Sequence, residues 1–344
     1  AKVCDFEATR KNKKKLILWN NAYGRDAKQI FEKNNIQIGC CLQMLATHTT
    51  TCPILHMNSM YAAIDLLLYN REELIIKCNA PTSISNEELL LSYLIQFGMS
   101  ALKDVNGDFS GVIYDENAQT LTLFRDHMGI RPLYYYADNS FMAFSTDIRG
   151  LLGLDGVDSS LNEDWIYRTL SGYFVDSVTS TEYQNIFCVS PASYITFSIK
   201  NEKISQEIHS YWQLGKKKIH YTSFELYKAK LKELVMDSIQ RRLQAIPGKA
   251  GAELSGGLDS GVIGILIHRL GRDCVYFSWS VDPNEIPYAD HDERLIIKDI
   301  CKQEHIHCHY SQMKSDRSMN SLLARQMQSL GFSLDENEPP ALRY

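Results

Sequence analysis

Six residues in the last third of the chain, Ser255-Gly256-Gly257-Leu258-Asp259-Ser260, have the types and spacing to handle phosphate. Two adjacent glycines carry no Cβ, so their backbone N–H groups can curl around an anion. A helix expected to start just behind them adds the positive end of its dipole. The hydroxyls of Ser255 and Ser260 can donate to phosphate oxygens. Asp259 would repel a bare phosphate, so its natural partner is a magnesium ion bridging phosphates. No Gly-Lys-Ser or Gly-Lys-Thr follows, which excludes a Walker loop, and the GxGxxG dinucleotide turn does not fit either. The string is either a nucleotide cradle or a tight strand-to-helix turn of structural value alone.

The elements that must position this loop alternate. Ala250–Leu254 reads as a strand, Ser260–Leu270 as a helix ended by Gly271, Cys274–Val281 as a strand, Asp290–Gln303 as a helix and His305–Tyr310 as a third strand. Strands alternating with helices imply right-handed crossovers and a parallel sheet. Upstream, Phe224–Leu243 is the strongest helical pattern, with Leu226, Leu231, Leu234, Val235, Ile239 and Leu243 on one face. The first half differs. Tyr61–Leu68, Phe109–Tyr114, Thr120–Phe124, Leu133–Tyr136 and Phe141–Phe144 read as strands joined by Asp, Asn and Gly. Ser85 and Glu88 form a capping-box signature ahead of a helix over Leu89–Phe97. Leu161–Leu170 reads as a helix, and Ile186–Ile199 and His209–Gln213 as strands. The first half is therefore an α+β layered pattern.

The totals agree with two domains: 344 residues, 44% hydrophobic and 22% charged, with a net charge of -5. That charge favours neither nucleic acid nor an anionic membrane as partner. Nine cysteines without a CxxC pair read as free thiols of a reducing cytoplasm. No apolar run reaches the length of a transmembrane helix, about 18 residues. The basic stretch Arg10–Lys15 lacks the apolar core of a signal peptide. Because the chain opens at Ala1, a processed or trimmed start is expected.

Ser255–Ser260 resembles the PP-loop of ATP pyrophosphatases, which cleave ATP between its α- and β-phosphates. Arg125-Asp126-His127-Met128-Gly129-Ile130-Arg131-Pro132-Leu133-Tyr134-Tyr135 and Phe144-Ser145-Thr146-Asp147-Ile148-Arg149-Gly150-Leu151-Leu152 resemble segments of the asparagine synthetase family. Asn70-Arg71-Glu72-Glu73-Leu74 and Tyr211-Trp212 fall where that family has similar residues. The resemblance implies an α+β N-terminal-nucleophile-like domain of the class II amidotransferase kind over 1–215. An α/β parallel-sheet PP-loop synthetase domain would follow over 216–344. It implies ATP and Mg2+ as cofactors, with Leu254, Ser255, Gly256, Gly257, Leu258, Asp259 and Ser260 at the ATP phosphates and Asp259 on the metal. Backbone groups around Ser278, Trp279 and Ser280 would receive adenine, at the carboxyl end of a parallel strand. The implied reaction activates a carboxylate as an acyl-adenylate, releases pyrophosphate, and lets an amine displace AMP to form an amide.

The same resemblance implies that glutamine hydrolysis is absent. The family nucleophile is an N-terminal cysteine followed by glycine, with its own amine as base. Here Cys4 follows three residues, precedes Asp5, and has its amine in a peptide bond. The family arginine that holds the glutamine carboxylate has no counterpart between Arg25 and Arg71. Asp65-Leu66 stands where an Asn-Gly pair supplies the oxyanion hole, and a carboxylate there opposes a developing oxyanion. Asn86 replaces the acid that binds the glutamine ammonium. Without that activity the amine need not be ammonia, and the segment Trp279–Tyr310 looks closest to the macrolactam-forming cyclases of lasso peptides. A β-lactam synthetase-like enzyme, an asparagine synthetase using ammonia, and a non-catalytic nucleotide- or peptide-binding module stay open. A precursor peptide is the expected carboxylate substrate, with a leader protease or peptide-binding protein as partner. The family's second glycine- and acid-rich motif, its later lysine and its acidic base find no match after residue 260, so the synthetase domain is expected to be incomplete here.

Weaker signals have plainer readings. Cys301, His305, His307, Cys308 and His309 suggest a metal cluster, but an ordinary third strand explains them better, since its alternation separates 308 from its neighbours. Lys13–Lys15 and Lys216–Lys218 read as solvated loops, with docking of an acidic leader as the alternative. Asp335–Glu338 reads as an exposed acidic turn. Adjacent Cys40 and Cys41 are expected inside the first domain and not bonded to each other.

Overall fold

A computed structural model describes residues 26–33, 36–44, 47–139, 141–172, 177–200, 203–216, 218–278 and 293–310. Cys4, Lys13–Lys15, Lys217, Trp279, Ser280 and Asp335–Glu338 lie outside the described residues. The chain divides into two compact units between Gly215 and Lys216.

The first unit is built on a six-stranded sheet with the spatial order β11, β10, β6, β5, β4, β3. Its strands are β3 (Leu55–Met57), β4 (Met60–Leu68), β5 (Gly107–Asp115), β6 (Thr120–Arg125), β10 (Ser193–Lys200) and β11 (Lys203–Ser210), and every neighbouring pair is antiparallel. Strand alternation assigns the two faces. On one face Ala62, Ile64, Leu66 and Leu68 of β4 meet Leu74 of α1 (Arg71–Cys78) and Leu89, Leu90 and Tyr93 of α2 (Asn86–Phe97). On the other, Val112, Tyr114, Leu121 and Leu123 pack against two smaller sheets. These are the hairpin β1 (Ala27–Lys33) with β2 (Ile36–Leu42), and β7 (Tyr134–Ala137) flanked by β8 (Met142–Ser145) and β9 (Ile186–Cys188). The far side of β7 and β8 is closed by Leu151 of α3 (Ile148–Leu152) and by Leu154. The layers therefore run helix, sheet, sheet, helix. A further helix, α4 (Glu163–Leu170), is capped by the Asn162 side chain.

Several local expectations hold. Ser85 caps α2, and Glu88 completes the capping box. The expected strand over 186–199 is instead two, β9 and β10. Pro191 and Ala192, the latter at φ +54°, turn the chain between them. The expected strand at 209–213 lies earlier, as β11, because β10 and β11 pair as a tight hairpin from Lys200 and Lys203 outward.

The Arg125–Leu133 segment owes its form to one carboxylate. Asp126, 1% exposed, accepts backbone N–H bonds from Met128 (3.0 Å), Ile130 (3.0 Å), Arg131 (2.9 Å) and Phe109 (3.3 Å). Gly129 sits at φ +69° inside that loop, where a Cβ would lie 2.9 Å from Pro191. Arg125 fastens the outside, donating to the carbonyls of Arg131 and Val189. The motif is a latch for the central sheet.

The second unit opens with α5 (Phe224–Ala245), capped by Ser223. A parallel sheet follows in the order β12 (Ala250–Glu253), β13 (Cys274–Ser278), β14 (Cys308–Tyr310). Helices α6 (Leu258–Arg269) and α7 (Glu293–Glu304) form its crossovers. Ala252, Leu254, Ile267, Tyr276, Ile297 and Cys308 make its core, with Ile239 and Leu243 of α5 packed on it. The single apolar face expected for α5 is only half used, since Leu226, Leu231 and Leu234 remain exposed. Gly264 lets α6 settle on the sheet, because a Cβ there would meet Leu254 at 2.7 Å.

Candidate functional site

The 255–260 string lies between the carboxyl end of β12 and the start of α6. Leu254 is fully buried and donates its N–H to the Phe277 carbonyl at 2.8 Å, which fixes where the loop leaves the sheet. Gly256 takes φ +71°, a conformation that favours glycine. Gly257 is the N-cap of α6 and no side chain caps that helix. The first-turn N–H groups have no intrahelical acceptors, so they stay available to an anion.

The two serine hydroxyls brace the loop. Ser255 Oγ and Ser260 Oγ lie 2.8 Å apart, Ser260 Oγ accepts from Ser255 N–H at 3.1 Å, and Ser255 Oγ accepts from Gly257 N–H at 3.3 Å. Ser260 Oγ also donates to the Gly257 carbonyl at 3.4 Å, so both hydroxyls hold the loop in shape. Leu258 and Asp259 are exposed on the first turn of α6. Magnesium commonly binds through one or two carboxylates plus substrate phosphates, so a lone carboxylate beside an anion cradle fits that ion. Among the described residues no three His, Cys, Asp or Glu side chains converge to hold a metal unaided. The strand expected from His305 begins only at Cys308, as β14. Cys308 faces the core, His305 sits at φ +53° in the turn before β14, and the His307 and His309 rings meet edge to face at 4.7 Å.

A second helix start reaches the same loop. A Cβ on Gly256 would stand 2.9 Å from Glu293 Cβ and 3.1 Å from the Glu293 carbonyl oxygen. The first residue of α7 therefore rests on the left-handed glycine, so two helix N-termini face one loop. Arg294, next along, lies over the Tyr310 ring at 4.5 Å. Sequence reasoning missed this convergence, since nothing in the string reports that Glu293 packs on Gly256. Ser278 ends β13 and is buried, its register partner being Tyr310. Trp279 and Ser280, also expected near adenine, lie outside the described residues.

In the first unit, the positions that the resemblance assigns to a glutamine site bond to their own neighbours. Asn86 is 3% exposed and fully engaged: its Oδ1 accepts from Arg71 at 2.8 Å and its Nδ2 donates to the Thr47 carbonyl at 2.8 Å. Arg71, the first arginine after Arg25, also donates through Nη2 to the carbonyls of Thr82 and Ile84. Neighbouring Glu87, 2% exposed, accepts from Thr50 N–H at 2.9 Å. Burial lifts its carboxyl above the usual range, partly offset by that hydrogen bond. Asp65 faces Arg131 at 3.6 Å. Partial desolvation raises its carboxyl although the side chain stays 45% exposed, against the pull of Arg131, with Asp108 and Asp126 adding to the shift. Cys40 lies close enough to Asp65 and Glu87 to feel their charges. Burial, with Cys41, Asp65, Glu87 and Cys52 around it, pushes it up to about 12. At neutral pH it is a thiol and not a nucleophile. Cys40 and Cys41 are both free, as expected.

Comparison with known proteins follows the same division. Residues 6–212 match the glutamine amidotransferase domain family, and residues 230–331 match asparagine synthase. A glutamine-hydrolysing asparagine synthetase of Methanocaldococcus jannaschii is 28% identical over 255 residues, covering 71% of this chain and 47% of its own length. Asparagine synthetase 3 of Bacillus subtilis is 29% identical, covering 62% of this chain and 33% of its own. An amidase of Gibberella zeae is 29% identical, covering 54% and 27%. The chain thus spans about half or less of the length of these relatives. With an antiparallel amidotransferase-like unit ahead of a parallel-sheet asparagine synthase unit, the chain belongs to the asparagine synthetase family.

Proposed function

We propose that this chain belongs to an ATP-dependent carbon–nitrogen ligase that activates a carboxylate and forms an amide without hydrolysing glutamine. The observation that carries the ligase reading is the uncapped start of α6 behind the left-handed Gly256, a cradle for phosphate. Ser255 and the first-turn N–H groups of α6 would hold the pyrophosphate end of ATP, and Asp259 would hold magnesium. The ion supplies neutralising charge to the phosphates. The substrate carboxylate would attack the α-phosphorus, and pyrophosphate would leave. A free amine would then attack the acyl carbon and release AMP.

What supports a silent glutaminase is the use made of its positions. Asn86 bonds to Arg71 and Thr47, the Asp65 carboxylate stands at the position that the family resemblance gives to the oxyanion hole, and the Cys40 thiol is pushed up to about 12. The amine is then free ammonia or an amine of the substrate itself, and the second option is macrolactam formation on a precursor peptide.

Mg-ATP binding to wild type and Asp259→Asn tests the reading. A loss of at least about tenfold in the variant, some 1.4 kcal/mol, is expected. Equal binding by both proteins would sink the role of Asp259.

A further inference from the structure

The opposite end of the same parallel sheet holds a cavity of about 320 Å³. Lys249 stands just before β12, Arg272 and Asp273 just before β13, and His307 just before β14, while His268 comes from the last turn of α6 and His309 from β14 itself. These positions gather at the amino ends of the strands. The glycine loop leaves the carboxyl end of β12, and a four-residue strand is about 13 Å long, so the two places are separate.

The lining is rich in donors. Lys249 brings an ammonium and Arg272 a guanidinium, and three imidazoles join them. Arg272 gives Nη2 to the Ile246 carbonyl at 2.7 Å, while its Nε is buried with no hydrogen-bond partner among the described residues. An orphaned guanidinium N–H is costly to leave unmade. One carboxylate opposes this set: Asp273 lies 3.4 Å from Lys249 Nζ, an exposed pair whose mutual screening is weak. No three metal-ligating side chains converge among the described residues, so the imidazoles do not read as a cation site.

We propose that this cavity is a second anion site that takes a small phosphate-bearing molecule. Donors enter from three strand starts and one helix end. A tetrahedral phosphate presents three or four acceptor oxygens to such a surround, whereas a planar carboxylate presents two. The cavity lies at the small end of the usual ligand range, roughly 300–1,000 Å³. It is larger than a bare ion requires, which favours a phosphomonoester over inorganic phosphate. The proposal does not rest on the ligase reading.

The test is a 31P NMR titration of the full chain with inorganic phosphate and with phosphoethanolamine, with acetate as competitor. Saturable binding of phosphoethanolamine at least as tight as that of phosphate, undisturbed by acetate, is the expected result. Lys249→Gln and Arg272→Gln should each weaken it about tenfold, the value of one charge-assisted hydrogen bond. Because Arg272 also tethers Ile246, its variant can lose stability. Lys249→Gln and a double His307→Gln, His309→Gln variant, all at exposed positions, keep the test decisive. Absence of saturable binding in wild type, binding unchanged in every variant, or equal displacement by acetate each overturns the proposal. So does binding lost in Gly256→Ala and kept in Arg272→Gln, which would place the anion at the glycine loop.

Discussion

Replacing Gly256 by alanine should damage the nucleotide loop in a way that separates loop shape from loop charge. The glycine holds φ +71°, where an L side chain costs about 1–2 kcal/mol. The new methyl would also stand 2.9 Å from Glu293 Cβ and 3.1 Å from the Glu293 carbonyl oxygen. Both are parts of a helix start, so no flexible side chain can swing aside, and overpacking of this kind costs about 1–3 kcal/mol. Keeping the native loop would then cost about 2–5 kcal/mol in all. The loop and the start of α7 should instead move apart, which misaligns the backbone donors that face the phosphates. Mg-ATP affinity is expected to fall at least tenfold, equal to about 1.4 kcal/mol. Far-ultraviolet circular dichroism should remain near wild type, since the clash is local. Calorimetric titration with a non-hydrolysable ATP analogue, alongside thermal unfolding, measures both. Wild-type affinity and melting in Gly256→Ala would refute the reasoning that this conformation and this contact build the site.

Other consequences can be checked separately. Asp126→Asn keeps one acceptor oxygen but turns an amide donor toward two of the four N–H groups, so it should lose about 3–5 kcal/mol in urea unfolding. A loss below about 1 kcal/mol would mean that the latch is not needed. Glu87 has a folded-state carboxyl raised above its ordinary value, so the folded state binds more protons and stability falls as pH rises through that window. Glu87→Gln, which still accepts from Thr50, should match or exceed wild type at pH 7 and lose that advantage as the pH drops below the carboxylate range, read from unfolding midpoints against pH. With Cys40 near 12, its alkylation by iodoacetamide at pH 8 should be slower than that of an unhindered thiol by about two to three orders of magnitude. Mass-spectrometric mapping showing Cys40 among the fast thiols would contradict its half-buried, protonated state.

The parallel sheet of the second unit was legible because each of its strands is bounded by glycine or by a helical period. The capping box at Ser85 and Glu88 was legible because that motif is local. Long-range effects were not. The break between β9 and β10 depends on Pro191 packing against the Gly129 loop, some sixty residues away. The α5 face looked like a core stripe, yet only its last turns reach the sheet. At the candidate site, the residues of the loop could be named from the string alone. The contact of Glu293 on Gly256 could not, because it joins residues separated by a whole βα unit. The role of Asn86 was read as a missing charge. Its actual bonds to Arg71 and Thr47 required the fold to bring three segments together.

Pyrophosphate release from Mg-ATP by the full-length protein tests the central claim most directly. One reaction would contain aspartate with ammonia, a second aspartate with glutamine, and a third a candidate precursor peptide. Release with ammonia or with the peptide, and none with glutamine, is the predicted result, and the tube that responds identifies the amine. Turnover with glutamine at a rate matching ammonia would contradict the account of the first unit. No release with any of the three, together with Mg-ATP binding indifferent to Asp259→Asn, would contradict the account of the second.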